Sequence, residues 1–229
     1  MPKSNIIDFI SESIKRSKKE QKEYSFGHGY AFVKDPLPDN IDFDYVLETI
    51  EDIIPAAMRV GVDSIMVGDF EEFHERNINA MFKDGAVYVT NAQSSNDDMI
   101  DDIVHEIAHS VEDLCGYEIY ALEPNITREF RSKRLKLKQM LKSEKIETQG
   151  YDFGDVEYSL EFDDYLYSTV GYPTLQALSV GLFPDAYGIT SIREYFASGF
   201  EMYFLGDRDY LRKISPVLYK KIKELLKND

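Results

Sequence analysis

Two histidines and a glutamate at a fixed spacing are the residues of this 229-residue chain best suited to chemistry. They lie in residues 103–110, where His105, Glu106 and His109 read H-E-x-x-H. Residues four apart on a helix lie on one face, one turn apart, so both imidazoles can bind one metal ion. Glu106 stands at the edge of that face, where its carboxylate can take a proton from a water on the metal. The motif therefore predicts a zinc site with Glu106 as general base.

The sequence around the motif has the features of a helix, which weighs against a chance match in a chain with only four histidines. Asn96 is a suitable N-cap, acids fill the first turn, and Gly116 is a suitable C-terminal stop. One stripe of this predicted helix, residues 96–115, is apolar: Met99, Ile100, Ile103, Val104, Ile107, Val111 and Leu114. The opposite stripe is polar: Asp102, His105, Glu106, His109 and Asp113. Histidines and acids sharing one stripe of a mostly apolar helix indicate a metal site.

A catalytic zinc ion usually has three protein ligands, and the two histidines leave it one short. No third histidine follows His109 at a suitable spacing, so a carboxylate from a later helix is expected. Glu194, in a strong helical pattern over residues 191–204, is the candidate. It shares one predicted helix face with Ala197, Ser198 and Glu201. The small residues on that face would allow a close approach to the metal helix. The alternative for Glu194 is a surface acid at a helix start, where acids are common, and we favour the ligand.

Several further segments accompany these residues. Tyr187 stands seven residues before Glu194, which continues as Glu-Tyr-Phe-Ala. A strand-like segment over residues 80–89, the run 162–172 and the Ser215-Pro216 pair complete the pattern. This combination resembles the gluzincin metallopeptidases, specifically the group that contains the anthrax lethal factor catalytic domain and the bacterial proline–proline endopeptidases. The resemblance covers roughly residues 41–226.

The resemblance implies a zincin-like α+β fold, mainly helical, with a cleft between a small N-terminal lobe and a helical C-terminal lobe. It implies a zinc endopeptidase that acts on a peptide or protein substrate, with Tyr187 donating a hydrogen bond to the developing oxyanion. The substrate strand is expected to pair with residues 86–90. The family often has a supporting acid four residues after the ligand glutamate. Ser198 stands there in this chain, and Glu201 or Asp113 could take that role.

A second hypothesis is a structural or binding protein on a zincin scaffold that retains zinc with little or no turnover. The two hypotheses differ at Glu106 and Tyr187, which a merely structural zinc site would not need. Because both residues are present, we favour the enzyme. The oligomeric state is not predicted.

Composition limits the partners. The net charge is 26 − 42 = −16, which argues against nucleic acid and anionic membranes as main partners. The single cysteine, Cys115, excludes an internal disulfide and is expected to be a buried hydrophobe. No secretory signal and no membrane-spanning run is recognised, so a cytoplasmic protein is the default expectation, with non-standard export left open.

The chain is predicted to have an N-terminal extension, residues 1–40, and a zincin-like domain, residues 41–229, divided into lobes 41–116 and 117–229. The extension would contain an amphipathic helix over residues 4–19 and an irregular connection over 20–40, where His28 is a loop residue and not a ligand. The first lobe would contain a helix over 42–60 that Pro55 ends or kinks, a strand over 64–67, a polar loop over 68–79 and a hairpin over 80–90.

The second lobe is predicted to be helical. Residues 128–145 carry eight basic and two acidic residues, which in isolation would suggest a nucleic-acid patch. We favour a solvated helix because apolar residues run through it, and the acidic stretch 152–164 could pair with it. Helical pieces are expected over 157–182, with breaks at Gly171, Pro173 and Gly181. Residues 183–188 read as a loop, and a last helix begins at Pro216.

Overall fold

A computed structural model describes residues 22–122 and 124–227, which form a mainly helical protein with one mixed five-stranded sheet. The strands are β1 (Lys22–Phe26), β2 (Gly29–Val33), β3 (Ser64–Gly68), β4 (Ala80–Lys83) and β5 (Ala86–Thr90). The helices are α1 (Phe43–Ile53), α2 (Glu71–Arg76), α3 (Asn96–Gly116), α4 (Asn125–Ser143), α5 (Leu160–Asp164), α6 (Tyr172–Ser179), α7 (Ile192–Phe204), α8 (Arg208–Ile214) and α9 (Pro216–Leu225). The α+β, mainly helical prediction is confirmed at this level.

The chain forms two compact units, one ending at Ile107 and the other beginning at Ala108. The first contains the sheet, with strand order β1-β2-β3-β5-β4. Strands β2, β3 and β5 are parallel to one another, and β1 and β4 pair antiparallel at the two edges. The predicted strand at 64–67 and the predicted hairpin over 80–90 are both confirmed.

The predicted irregular connection over residues 20–40 is wrong, because β1 and β2 form a hairpin that extends the sheet. The backbone geometry of this hairpin requires glycine at two positions, one in the turn and one in β2. Gly27 supplies a positive φ of 56° in the turn, next to His28. A Cβ on Gly29 would lie 1.9 Å from the carbonyl oxygen of Asp63, so only glycine allows this approach between backbones. The helix predicted over residues 4–19 lies outside the described residues.

The polar loop predicted over residues 68–79 is also wrong, because it contains the short helix α2. Acidic Glu71 and Glu72 lie in its first turn and Arg76 in its last, which complements the helix dipole. Phe73 anchors the helix in the core, and Asn77 ends it in the left-handed conformation. Earlier in the chain, α1 ends at Ile53, before Pro55, as predicted.

Helix α3 begins and ends differently from the prediction. The N-cap side chain is that of Ser95, whose Oγ accepts from the N–H of Asp98 at 3.1 Å. Asn96 instead accepts from the N–H of Asp42 through its Oδ1 at 2.9 Å. Helix α3 ends at Gly116, but this glycine is not a left-handed stop, because its φ is −56° and the chain continues directly as a π turn, Tyr117–Ala121. Ile119 in that turn is fully buried, and its burial favours the continuation.

The predicted basic helix is α4, and two of its basic side chains are buried, those of Lys133 and Arg134. The expected pairing with the acidic stretch uses main-chain carbonyls rather than carboxylates. Arg134 donates to the carbonyl of Asp155 at 2.5 Å, and Arg131 donates to that of Gly154 at 2.9 Å. Burial lowers the pKa of Arg134 to about 10. These contacts fix the segment that follows α4 against the helix.

Two of the three predicted breaks, at Gly171 and Gly181, lie between helices, whereas Pro173 lies inside α6. Gly171 adopts a positive φ of 81° between a π turn, Tyr165–Val170, and α6, which has Pro173 in its first turn. A 3-10 turn, Tyr187–Ile189, precedes α7, and Pro216 begins α9 as predicted. Helix α8 was not predicted. Among residues 22–122 and 124–227, none of the helices has the length and apolarity needed to cross a bilayer.

Candidate metal centre

Helix α3 carries the two histidines on its less buried side. Residues Ile103, Val104, Ile107 and Ala108 are fully buried, which fixes the rotation of the helix. His105 and His109 are then half-buried, one turn apart on one continuous helix. The helix therefore presents two imidazoles to the same side.

The structure brings Glu194 to these histidines. Its Oε2 lies 3.5 Å from Nε2 of His109. One ligand atom from each of His105, His109 and Glu194 lies within 4.8 Å of the others. Tetrahedral zinc with bonds of about 2.0–2.1 Å has ligand atoms about 3.4 Å apart, so small side-chain movements suffice. Two imidazoles and a carboxylate form a donor set that zinc accepts, and the three residues fit the ion.

Glu194 is positioned by the start of α7. Ser191 caps this helix, and its Oγ accepts from the N–H of Glu194 at 3.2 Å. The opposite side of α7 is buried through Tyr195, Phe196 and Phe200. This burial sets the rotation of the helix, and the Glu194 carboxylate lies in the first turn, where the helix dipole favours negative charge.

His109 is in contact with two carboxylates. Its Nδ1 lies 2.6 Å from Oε2 of Glu112, whose side chain is only 3% exposed. Burial lowers the pKa of His109, but the hydrogen bonds and charges of Glu112 and Glu194 outweigh this and raise the pKa to about 9. A metal ion bound through this ring would compete with the proton that the two carboxylates favour.

Glu112 has two further partners. The Tyr120 hydroxyl donates to its Oε1, and Nε of Arg193 lies 3.5 Å from its Oε2. Asp113, one of the two acids considered as a possible support, is exposed, and Glu112 is the acid in contact with His109. Sequence reasoning missed Glu112, although its position three residues after His109 is a usable signal.

His105 has an acid nearby on the same helix. Asp102 accepts from Nε2 of Gln93 at 2.9 Å. Burial raises the pKa of Asp102, whereas the Gln93 hydrogen bond and the charge of His105 act in the opposite direction. The polar stripe of α3 therefore continues one turn before His105.

Glu106 contacts the sheet within the first unit. Its Oε2 accepts from the main-chain N–H of Phe82 in β4 at 2.6 Å. The N–H of Thr90 donates to the carbonyl of Asn79 at 2.8 Å, just before β4 begins. Main-chain groups in an antiparallel pair point to the partner strand at every second residue, so Met81 and Lys83 of β4 face β5. Phe82 belongs to the other set, and its N–H faces away from β5. The general-base candidate thus lies at the outer side of β4.

The expectation that a substrate strand pairs with residues 86–90 is wrong. Those residues form β5, which has β3 on one side and β4 on the other. Its main-chain groups are already used in the sheet. In the described part of the chain, β1 and β4 each have a strand on one side only, and β4 is the edge strand that lies next to Glu106.

Tyr187 lies in the 3-10 turn before α7, with its side chain 41% exposed. The turn is held by Asp185, whose Oδ1 accepts from the N–H of Gly188 at 2.7 Å and from Oγ of Ser198 at 3.0 Å. A Cβ on Gly188 would lie 3.1 Å from that Oγ. Ser198 is therefore more than a small residue on α7, because it fixes the Tyr187 turn to the helix.

No family model, no curated protein and no solved structure matches this chain. The resemblance to the lethal-factor-like gluzincins therefore stays a prediction.

Proposed function

We propose that this protein is a zinc-dependent endopeptidase with a zincin-like fold that holds its metal through His105, His109 and Glu194. The observation that carries the proposal is the convergence of these three residues, with ligand atoms within 4.8 Å of one another. Two imidazoles and one carboxylate are a donor set of catalytic zinc, which keeps a fourth position for water or substrate. The gluzincin-like sequence pattern supports the same conclusion.

Zinc bound there would supply Lewis acidity to an attacking water and to the scissile carbonyl. Glu106 is next to a ligand without being one, and it is 7% exposed. Its carboxylate takes the proton of the attacking water and passes it to the leaving amine. Tyr187 donates a hydrogen bond to the developing oxyanion, and its loss should lower kcat by about 10²-fold or more. In Tyr187→Phe the metal should remain bound.

The substrate is an extended peptide that adds to the outer side of β4. Its backbone would take hydrogen bonds from outward-facing groups such as the Phe82 N–H. That N–H now bonds to Glu106 at 2.6 Å, so a peptide on β4 competes for the donor and releases the carboxylate. Strand addition and activation of the base are coupled in this way.

The test begins with purified wild type, which should contain about one zinc per chain if three ligands hold it. A peptide library then reports hydrolysis. Glu106→Gln should keep the zinc and lose nearly all hydrolysis, because the base is not a ligand. Glu75→Gln, an exposed acid on α2, is the matched control and should cleave like wild type.

Three results discriminate between the hypotheses. If the protein neither contains nor takes up zinc, the proposal is wrong. Zinc binding without hydrolysis of any library peptide would favour the structural or binding protein. If Glu106→Gln cleaves as fast as wild type, the base is misassigned.

A further inference from the structure

We propose that Glu112 is the positioning residue of this metal centre: held by Tyr120 and Arg193, it fixes the His109 ring so that Nε2 binds the metal. The inference rests on the proposed zinc function. It concerns how tightly and in which geometry this chain holds the ion.

Glu112 is a carboxylate with a side chain only 3% exposed. A buried carboxylate is unfavourable unless hydrogen bonds and opposite charge compensate its loss of water. Both of its oxygens have such partners. Oε1 accepts from the Tyr120 hydroxyl, and Oε2 lies 2.6 Å from Nδ1 of His109 and 3.5 Å from Nε of Arg193. The carboxylate is thus held from three directions.

The contact between Glu112 and His109 selects one form of the ring. A carboxylate only accepts hydrogen bonds, so Nδ1 must carry the hydrogen, and in the neutral ring Nε2 is the lone-pair donor. Nε2 is the atom that lies 3.5 Å from Oε2 of Glu194. The Glu112 contact therefore aims the correct nitrogen at the other ligand.

The π turn after α3 explains how Tyr120 reaches Glu112. The two residues are eight apart, which on a regular α-helix means about 12 Å along the axis at 1.5 Å per residue. Tyr120 lies in the wider turn Tyr117–Ala121, and from there its hydroxyl donates to the carboxylate. Such local departures from α-helical geometry are common at functional sites. The π turn that follows Gly116 thus supplies a hydrogen-bond donor to Glu112.

Arg193 connects Glu112 to the third ligand. It immediately precedes Glu194 in the first turn of α7. Its contact with Oε2 of Glu112 links that turn to the part of α3 that carries His109. One carboxylate thereby sets the positions of two ligand-bearing segments.

The experiment compares Glu112→Gln with Asp113→Asn, the exposed neighbouring acid, which removes the same charge one residue away. Zinc affinity is measured by competition with a chelator, ligand geometry by the visible spectrum of the cobalt-loaded protein, and folding by urea unfolding of the metal-free protein. Glu112→Gln should weaken zinc binding by about 10–100-fold and alter the cobalt spectrum. Asp113→Asn should match wild type in both.

Tyr120→Phe and Arg193→Gln keep the carboxylate and remove one of its partners each. Both should weaken zinc binding in the same direction, by less than Glu112→Gln, and both should alter the cobalt spectrum. If Glu112→Gln does not fold, these two variants replace it in the experiment. A loss of stability alone, without a change in the spectrum or in zinc affinity, contradicts a positioning role.

Failure of this inference differs from failure of the proposed function. Wild-type zinc affinity and an unchanged cobalt spectrum in folded Glu112→Gln overturn the role of Glu112 alone. If Glu112→Gln does not fold, the same two results in Tyr120→Phe and Arg193→Gln overturn it. Wild-type protein that binds no zinc overturns both proposals.

Discussion

Glu129 on α4 joins three helices of the second unit through its carboxylate. Its Oε1 accepts from the Tyr195 hydroxyl at 2.8 Å and from the N–H of Leu218 at 3.1 Å. Its Oε2 accepts from the N–H of Val217 at 3.0 Å. Glu129 therefore caps the first turn of α9 and holds α7, the helix that carries the proposed ligand Glu194.

The expected loss in Glu129→Gln follows from these three bonds. The amide has one acceptor oxygen, so its NH₂ group must face either Val217 N–H or the pair of donors on the other side. At least one hydrogen bond to a charged group is lost, which costs about 1.5–3 kcal/mol. Loss of the charge at the start of α9 adds about 0.3–1 kcal/mol. Glu129→Gln should thus lower the free energy of unfolding by about 2–4 kcal/mol.

Urea unfolding measures this loss, which should appear as a lower midpoint at an unchanged m value. Glu144→Gln, an exposed acid that follows α4, is the control and should stay within about 0.5 kcal/mol of wild type. If Glu129→Gln is as stable as this control, the three hydrogen bonds do not stabilise the protein, and the reasoning is refuted.

Three further predictions concern the ligand, a buried base and a close contact. Glu194→Ala should lose most zinc affinity in a titration, whereas Glu201→Ala, about 10.5 Å further along the axis, should lose at most about 10–100-fold. Burial lowers the pKa of Lys133 from 10.5 to about 8. Between pH 8 and 10.5 the folded protein loses the proton of Lys133 before the unfolded chain does, so the free energy of unfolding rises with pH. Measured by urea unfolding across this range, wild type should gain up to about 3 kcal/mol relative to Lys133→Met. Gly199→Ala would place its Cβ 2.2 Å from Cδ2 of buried Leu218 and should cost about 1–3 kcal/mol by thermal unfolding.

The helices that carry the ligands could be predicted because their signals are local. Helix α3 has a long apolar stripe, and α7 has a Ser191 cap followed by an apolar face. Helical spacing alone then puts His105 and His109 on one side. Glu194 required the chemical argument that zinc needs a third ligand, which spacing within one helix does not supply.

The edge of the sheet could not be predicted from the alternation of residues 80–90. Both arms of that hairpin have strand character, and the pattern does not say which arm pairs with β3. Parallel pairing of β5 with β3 decides the question, and it joins segments that are separated by α2 and β4. The N-terminal hairpin was missed for a related reason. The glycine signal at Gly29 comes from a close approach to Asp63, which only the folded chain reveals.

The acid that supports His109 could not be chosen from periodicity. Glu112 and Asp113 are three and four residues after His109, and both spacings place a side chain near it on a helix. The choice depends on groups outside α3. Tyr120 arrives through a π turn that begins where a glycine stop was expected, and Arg193 arrives from the first turn of α7. These donors stabilise a buried carboxylate at position 112, whereas Asp113 is exposed to solvent. A local spacing rule can therefore place the two histidines of such a centre, but the residue that orients them depends on tertiary structure.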